Sequence, residues 1–291
     1  MSTQWCPYTN KFLTPSDLDE EHVIPRSLGG HDRFTTSVQS SENSALGGKL
    51  DAAISSHPIV SSARRHYGLL GHSKKAPPVR WPAYYKNLKG TLDLTGDKFD
   101  FITYRGLNPY GINFNQRLTA GSRFFVDIEF DENITLSFGS KIALGAANFF
   151  FGDVFRRHGY HDELRCLLNS PAAAEHARRM VKINQGRGFW AVSWPKSHKV
   201  SGVLPAWFDA ILGQPDKNVV FTLHTTSELI LGCSILSGFY RWYFNIAKRP
   251  NEFPIGDDFD LGAVVEIDLK SNEFSQSNLR DYLCKWVNIE A

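Results

Sequence analysis

The sequence predicts an α+β protein: a short N-terminal module followed by a larger α+β domain with a mostly antiparallel sheet. Three observations lead there. Residues 124–130 alternate apolar and polar as a half-buried strand does, and residues 190–194, 219–223, 229–234 and 239–246 are short runs rich in β-branched and aromatic side chains. Residues 141–151 form a strongly apolar helical stretch, and residues 162–168 form another. These helices and strands do not alternate regularly, which argues against a parallel β-α-β arrangement.

The N-terminal module covers residues 1–54. It opens on Cys6-Pro7-Tyr8-Thr9-Asn10, a turn sequence, and runs through a polar stretch to Glu20-Glu21-His22-Val23-Ile24-Pro25. The Val-Ile pair before a proline suggests a short edge strand there. Gly29-Gly30 marks a loop. Leu46, Leu50 and Ile54 then recur at helical spacing over residues 40–54, although Gly47-Gly48 interrupts them and each glycine costs ~1 kcal/mol in a helix interior. Residues 55–90 read as a basic connector with some helix near residues 61–70. Residues 91–291 read as the accessory domain, suited to recognition, dimerisation or sensing.

Bulk properties bound the class. With 291 residues and 42% hydrophobic content the chain can build ordinary cores. No apolar run approaches the ~20 residues of a spanning helix, and Met1 to Cys6 lacks the basic start and apolar stretch of a secretory signal. The expectation is a soluble cytoplasmic protein without a membrane partner. Cys6, Cys166, Cys233 and Cys284 are scattered, as small buried hydrophobes of a reducing compartment are. The net charge of +2 says little, but its distribution says more. Between Asp51 and Asp93 no acidic residue occurs, whereas Arg64, Arg65, Lys74, Lys75, Arg80, Lys86 and Lys89 all do. His66, His72, Trp81, Tyr84 and Tyr85 lie among them. Such a stretch suits a phosphate backbone. Pro77, Pro78 and Pro82 equally suit a solvated, extended linker.

The chemistry concentrates in Glu21-His22-Val23-Ile24-Pro25-Arg26-Ser27-Leu28-Gly29-Gly30, followed by Asn43 on the expected helix. Hydrolysing a phosphodiester needs a deprotonated water and a cation to neutralise charge on the phosphate. Histidine, with its near-neutral pKa, suits the base, and a carboxylate with a carboxamide supplies hard oxygen ligands for one Mg²⁺-like ion.

These two segments, EHVIPRSLGG and SSENSALGGKLD, resemble the HNH endonucleases, whose members share the ββα-metal fold. The resemblance covers about the first 55 residues. It implies His22 as the water-activating base, with Glu21 and Asn43 holding Mg²⁺ or Mn²⁺, and DNA as substrate. Arg26 would contact a phosphate, as would Arg64, Arg65, Lys74, Lys75 and Arg80 of the basic stretch. Many members also carry two Cys-x-x-Cys pairs that bind a structural zinc. Here Cys6 remains, Thr9 stands at its partner's position, and Gln39 and Glu42 stand at the second pair. No structural zinc is expected, and packing by Trp5, Tyr8, Phe12 and Phe34 is expected in its place. An asparagine that orients the base often precedes the helix asparagine by about nine residues, where this chain reads Arg33-Phe34-Thr35-Thr36. The backbone, His31, Asp32 or a threonine hydroxyl is left to do so.

Each residue also has a structural reading: a strand-edge histidine for His22, a helix cap for Asn43, a surface cation for Arg26. Asp51, eight residues after Asn43, would lie near the same helix face. His158 and His161 have a metal-like spacing but no acidic or thiolate ligand set nearby in sequence. Two function classes therefore stand. One is a divalent-metal-dependent DNA endonuclease in restriction or defence, for which cutting both strands would suit a homodimer. The other is a catalytically inactive nucleic-acid-binding protein on a decayed module. RNA is the less favoured substrate, since no single-strand stacking motif is evident.

Overall fold

The computed structural model describes residues 3–71, 74–85, 88–94, 100–103, 124–126, 131–170 and 211–287. The strand expected at residues 190–194, together with His72, Lys86, His176 and His198, lies outside the described residues, as does the second half of the strand expected at 124–130. The described elements are helices and antiparallel strands, an α+β protein.

The chain divides into two compact units, Met1–Ile54 with Glu132–Ala291, and Ser55–Asp131. The N-terminal module is thus continuous with the C-terminal domain rather than free-standing, and a separate unit is inserted between them. The reason lies in the packing of the first unit.

That unit begins with a hairpin of β1 (Gln4–Cys6) and β2 (Lys11–Leu13), turned by Asn10 at positive φ, whose side chain accepts a bond from the Trp5 indole at 2.9 Å. A second hairpin pairs β3 (Leu18–His22) with β4 (Thr35–Gln39), Glu21 opposite Thr36 and His22 opposite Thr35. The strand expected around Val23-Ile24 is displaced toward the N-terminus. Val23 and Ile24 follow the strand and are fully buried, with one ladder-like bond from Val23 to Phe34. Helix α1 (Ser40–Leu46) leads directly from β4, then widens into a π-turn over Gly47–Asp51 and continues as α2 (Ala52–Ser56). The two glycines sit where the helix departs from regular geometry, as their low helix propensity allows.

Behind this hairpin runs α4 (Glu132–Phe151), longer than the stretch expected from residue 141. Contrary to the expectation that no apolar run approaches the length of a spanning helix, it is apolar and long enough, by composition alone, to cross a membrane, and 83% of the relevant window is buried inside the protein. Gly145 faces the hairpin: a Cβ there would meet the Thr36 and Val23 methyls at 3.4 Å. Asn148 donates to the Thr36 hydroxyl at 2.8 Å. Two shorter helices, α5 (Asp153–His158) and α6 (His161–Asn169), return the chain toward β1. The sheet that follows contains β9 (Lys217–His224), β10 (Leu229–Ile235), β11 (Tyr240–Asn245), β12 (Ala263–Asp268) and β13 (Phe274–Asn278) in the order β11-β10-β9-β12-β13, antiparallel throughout. Helix α7 (Leu279–Val287) packs its Leu279 and Tyr282 into the core beside Val219, Phe221 and Val264.

Of the four residues expected to replace a zinc site, Trp5, Tyr8 and Phe34 are buried, and Phe12 is 56% exposed. Phe12 lies on the two-stranded sheet's outer strand, under the Arg156 guanidinium. Cys6 is buried and its sulfur accepts the Gln39 backbone N–H at 3.2 Å. None of the four cysteines is disulfide-bonded.

His161 shows how the first hairpin is fastened. Its Nε2–H donates to the Arg156 carbonyl at 2.8 Å, its Nδ1 accepts from Arg165 at 2.6 Å, and Arg165 also donates to the Pro7 carbonyl. Both ring nitrogens are occupied, so the His158/His161 spacing reflects packing. Burial first, then the Arg165 charge, hold the His161 pKa below the ordinary histidine value, and burial does the same to His224. The unfolded chain binds these protons near pH ~6.5 and the folded chain resists them. Stability is therefore complete above about pH 6.5 and is lost as pH falls toward the depressed folded values. Thermal unfolding should show a melting temperature that drops on acidification, and His161→Gln should flatten that dependence.

The second unit comprises α3 (Pro58–His66) and a sheet ordered β7-β6-β5-β8, from β5 (Arg80–Tyr85), β6 (Leu88–Asp93), β7 (Asp100–Thr103) and β8 (Phe124–Val126). The helix begins three residues before the expected span, because Pro58 is well placed at a first helical position. The basic stretch is thus partly folded rather than a plain connector. Pro82 is accommodated within β5 because the β8 ladder starts only at Ala83.

Candidate active site

The β3–β4–α1 segment presents the motif residues in two separate constellations. Consecutive strand residues leave a strand on opposite sides. Glu21 shares the side of Thr36 that meets α4, while His22 leaves toward the loop that joins β3 to β4.

That loop is built by its own sequence. A 3-10 turn over Arg26–Leu28 follows Pro25 and ends on Gly29, whose φ of 82° is the left-handed conformation that glycine adopts without strain. At Gly30 a Cβ would stand 1.6 Å from the Ile24 carbonyl oxygen, so no side chain fits. The Asn218 side chain of β9, fully buried, donates to the Leu28 and Gly29 carbonyls at 2.8 and 3.2 Å and accepts from the Leu236 N–H at 2.7 Å. On β13, Phe274 stacks with His31 at 5.2 Å and lies under Arg33 at 4.7 Å. The accessory sheet thus holds the motif loop in place, a dependence that the local sequence does not reveal.

Within the loop, His22 Nε2 lies 2.9 Å from Asp32 Oδ1. Arg26 contacts both, with Nε 3.0 Å from His22 Nε2 and a terminal nitrogen 2.5 Å from the Asp32 oxygen. One nitrogen cannot both donate to Asp32 and accept from Arg26. The tautomer that donates to Asp32 carries the proton on Nε2, and the tautomer that accepts from Arg26 carries it on Nδ1. The hydrogen bond from His22, then the Arg26 charge, hold the Asp32 carboxyl below its ordinary pKa against some desolvation. In the tautomer that donates to Asp32, the lone pair of the ring lies on Nδ1. Asp32, one of the groups left open at the sequence level, is thus the residue whose carboxylate contacts the His22 ring.

The second constellation centres on Lys141 of α4, which is fully buried. Its ammonium lies 2.6 Å from Glu21 Oε1 and 2.8 and 2.7 Å from the two Asp51 oxygens. Burial raises the Asp51 pKa, the Lys141 charge opposes this, and Glu21 adds to it. The Tyr8 hydroxyl is buried with no hydrogen-bond partner among the described residues. Burial raises its pKa well above the usual value, and the charges of Glu21, Asp51 and Cys6 raise it further. Lys141 was not anticipated. The available signal was a lone lysine inside an apolar helix, which demands an acidic partner when buried.

Asn43, half-buried on α1, makes no side-chain hydrogen bond to another described residue, and it joins neither constellation by one. Among the described residues, no group of three His, Cys, Asp or Glu side chains is arranged to hold a metal. A hard cation of the Mg²⁺ kind takes one or two carboxylate ligands and keeps several waters; of the expected ligands, Glu21 is paired with Lys141.

The expected nucleic-acid contacts separate by environment. Arg64 is buried and donates to the Ser55 carbonyl at 3.1 Å, and burial lowers its pKa, so it is committed to packing rather than to phosphate. Arg80 pairs with Asp93 at 3.0 Å. Arg65, Lys74 and Lys75 are exposed. Arg64, Arg65 and His66 also close the last turn of α3, where cations complement the helix dipole. Comparison with protein-family models, characterised proteins and solved structures finds no match to this chain.

Proposed function

We propose that the chain is an HNH-type endonuclease that hydrolyses DNA phosphodiesters with His22 as general base. The observation that carries this reading is the His22–Asp32 pair at the end of a β-hairpin that leads into a helix bearing Asn43. In the proposed reaction His22 Nδ1 takes a proton from water as the water oxygen bonds to phosphorus. The Nε2–H bond to Asp32 stabilises the imidazolium that forms, and the phosphorus bond to the leaving oxygen breaks, that oxygen taking a proton from solvent. Arg26 keeps Asp32 ionised and adds positive charge beside the attack site. The resemblance assigns a Mg²⁺ or Mn²⁺ ion to Glu21 and Asn43, which would supply charge neutralisation at the phosphate; against that assignment, Glu21 leaves β3 on the side opposite His22 and is paired with Lys141. A cytoplasmic role in restriction or defence against foreign DNA belongs to the same reading, with exposed Arg65, Lys74 and Lys75 as backbone contacts.

One observation favours the alternative, an inactive DNA-binding protein. Glu21 is already neutralised by Lys141, as in a module whose metal site has been filled from within. Incubating supercoiled plasmid with Mg²⁺, Mn²⁺ or EDTA separates the two. Nicked or linear product in metal and none in EDTA supports the endonuclease. Retarded but uncut plasmid under every condition transfers the reading to the binding protein.

A further inference from the structure

The loop that carries the proposed base also carries a cation that the proposed reaction leaves unused. Arg33 is exposed, and no carboxylate or other acceptor among the described residues takes a bond from its guanidinium. Arg26 on the same loop differs, since it pairs with Asp32. What fixes Arg33 is an aromatic ring. Its guanidinium carbon lies 4.7 Å from the centre of Phe274, the first residue of β13. The imidazole of His31 stacks on the same phenyl ring at 5.2 Å, with 26° between the planes. His31 also ties the turn together: its Nδ1 accepts the Arg33 backbone N–H at 3.1 Å, and its carbonyl accepts the Phe34 N–H at 2.9 Å.

Covering a half-buried ring is what a packing arginine does. Two features go beyond packing. A ring, unlike a carboxylate, orients a guanidinium without cancelling its charge or consuming its N–H donors. The position is also beside the proposed base. Arg33 directly follows Asp32, whose Oδ1 is 2.9 Å from His22 Nε2, and stands two residues before Thr35, the partner of His22 across the hairpin.

From this geometry we infer that Arg33, clamped on Phe274, binds a phosphate of the DNA backbone next to the one attacked at His22. The inference rests on the endonuclease reading of the same loop. A guanidinium suits a phosphodiester because its planar fork meets two phosphate oxygens at once. Holding it on the ring beforehand means that little side-chain freedom is lost on binding. Phe274 and His31 act through Arg33 and are positioning residues.

The salt dependence of duplex binding tests this. Anisotropy of a labelled DNA duplex is measured between about 50 and 200 mM NaCl in EDTA, in the His22→Ala background, which keeps the duplex whole. Arg33→Ala should weaken binding and lower the slope of log affinity against log salt by about 0.9, the loss of one phosphate contact. Arg33→Lys, which keeps the charge, should keep the slope. Phe274→Leu, which removes the clamp and leaves the cation, should keep the slope and weaken binding by about two- to fivefold. Arg249→Ala removes an exposed cation just past β11, the opposite edge strand of the sheet, and should leave the slope unchanged. In protein that retains His22, Arg33→Ala should raise the KM for plasmid and leave kcat close to wild type. An Arg33→Ala slope equal to that of its parent would overturn the inference, as would an equal drop in Arg249→Ala. A fall in kcat with the slope intact would assign Arg33 to holding the loop instead. Plasmid cleavage with an unchanged slope leaves the endonuclease reading standing and removes the clamp. A lowered slope in a protein that cuts nothing does the reverse, and a protein that binds no duplex overturns both.

Discussion

Replacing His22 by alanine should lower plasmid cleavage by about 10²–10⁴-fold, the range that positioned acid–base groups contribute, while leaving DNA retardation close to wild type. The separation follows from the geometry. His22 is engaged with Asp32, whereas exposed cations set backbone affinity. Asp32→Asn should cost less than His22→Ala, because the amide can still accept the Nε2–H bond while stabilising the imidazolium less. A drop in cleavage that merely tracked a drop in DNA binding would assign His22 to binding instead. Gel retardation and cleavage on the same preparations make the distinction.

Gly30→Ala should be the most damaging single methyl addition in the motif. A Cβ there would sit 1.6 Å from the Ile24 carbonyl oxygen and 2.7 Å from its carbon, both backbone atoms of the buried chain that leaves β3. No side-chain rotation relieves that clash, so the backbone must move, and a cost of about 3 kcal/mol or more is expected. The same movement would tilt the loop carrying Arg26 and Asp32, so cleavage should fall even where the variant folds. Gly48→Ala is the matched control. Nothing lies within 4 Å of its Cβ, and the substitution should stabilise by roughly 0.5–1 kcal/mol through helix propensity. Urea unfolding of the two variants, read by tryptophan fluorescence, checks both signs.

The pattern of residues shows most clearly where local chemistry decides structure. The strands at β9, β10 and β11 follow runs of β-branched and aromatic side chains, and the expected bounds differ from the observed ones by only a residue or two. β12, Ala263–Asp268, was not anticipated although Val264, Val265 and Ile267 suit a strand, and it lies between β9 and β13 in the sheet. The sheet of the inserted unit was hidden by Pro82 and by a density of charge that suits a linker equally well. In the site, Glu21, His22 and the glycine pair stand out in sequence because loop and strand geometry constrain them locally. The partners of those residues do not. Lys141 lies 120 positions from Glu21 and 90 from Asp51, and Asn218 lies about 190 positions from the loop it holds. Such contacts exist only after folding, so the expected convergence of Glu21, His22 and Asn43 came out as two constellations with Asn43 bonded to neither. Arg64 illustrates the same limit, since a cation in a basic run and a buried packing arginine have identical sequence signatures.

Chemical rescue of His22→Ala tests the central claim most directly. Plasmid cleavage is followed for this variant and for wild type in Mn²⁺ as imidazole is added. The account predicts a wild-type rate indifferent to imidazole and a nearly inactive variant whose cleavage rises with imidazole concentration, because a soluble base then takes the proton that Nδ1 would have taken. A variant that cuts as fast as wild type without imidazole would contradict it.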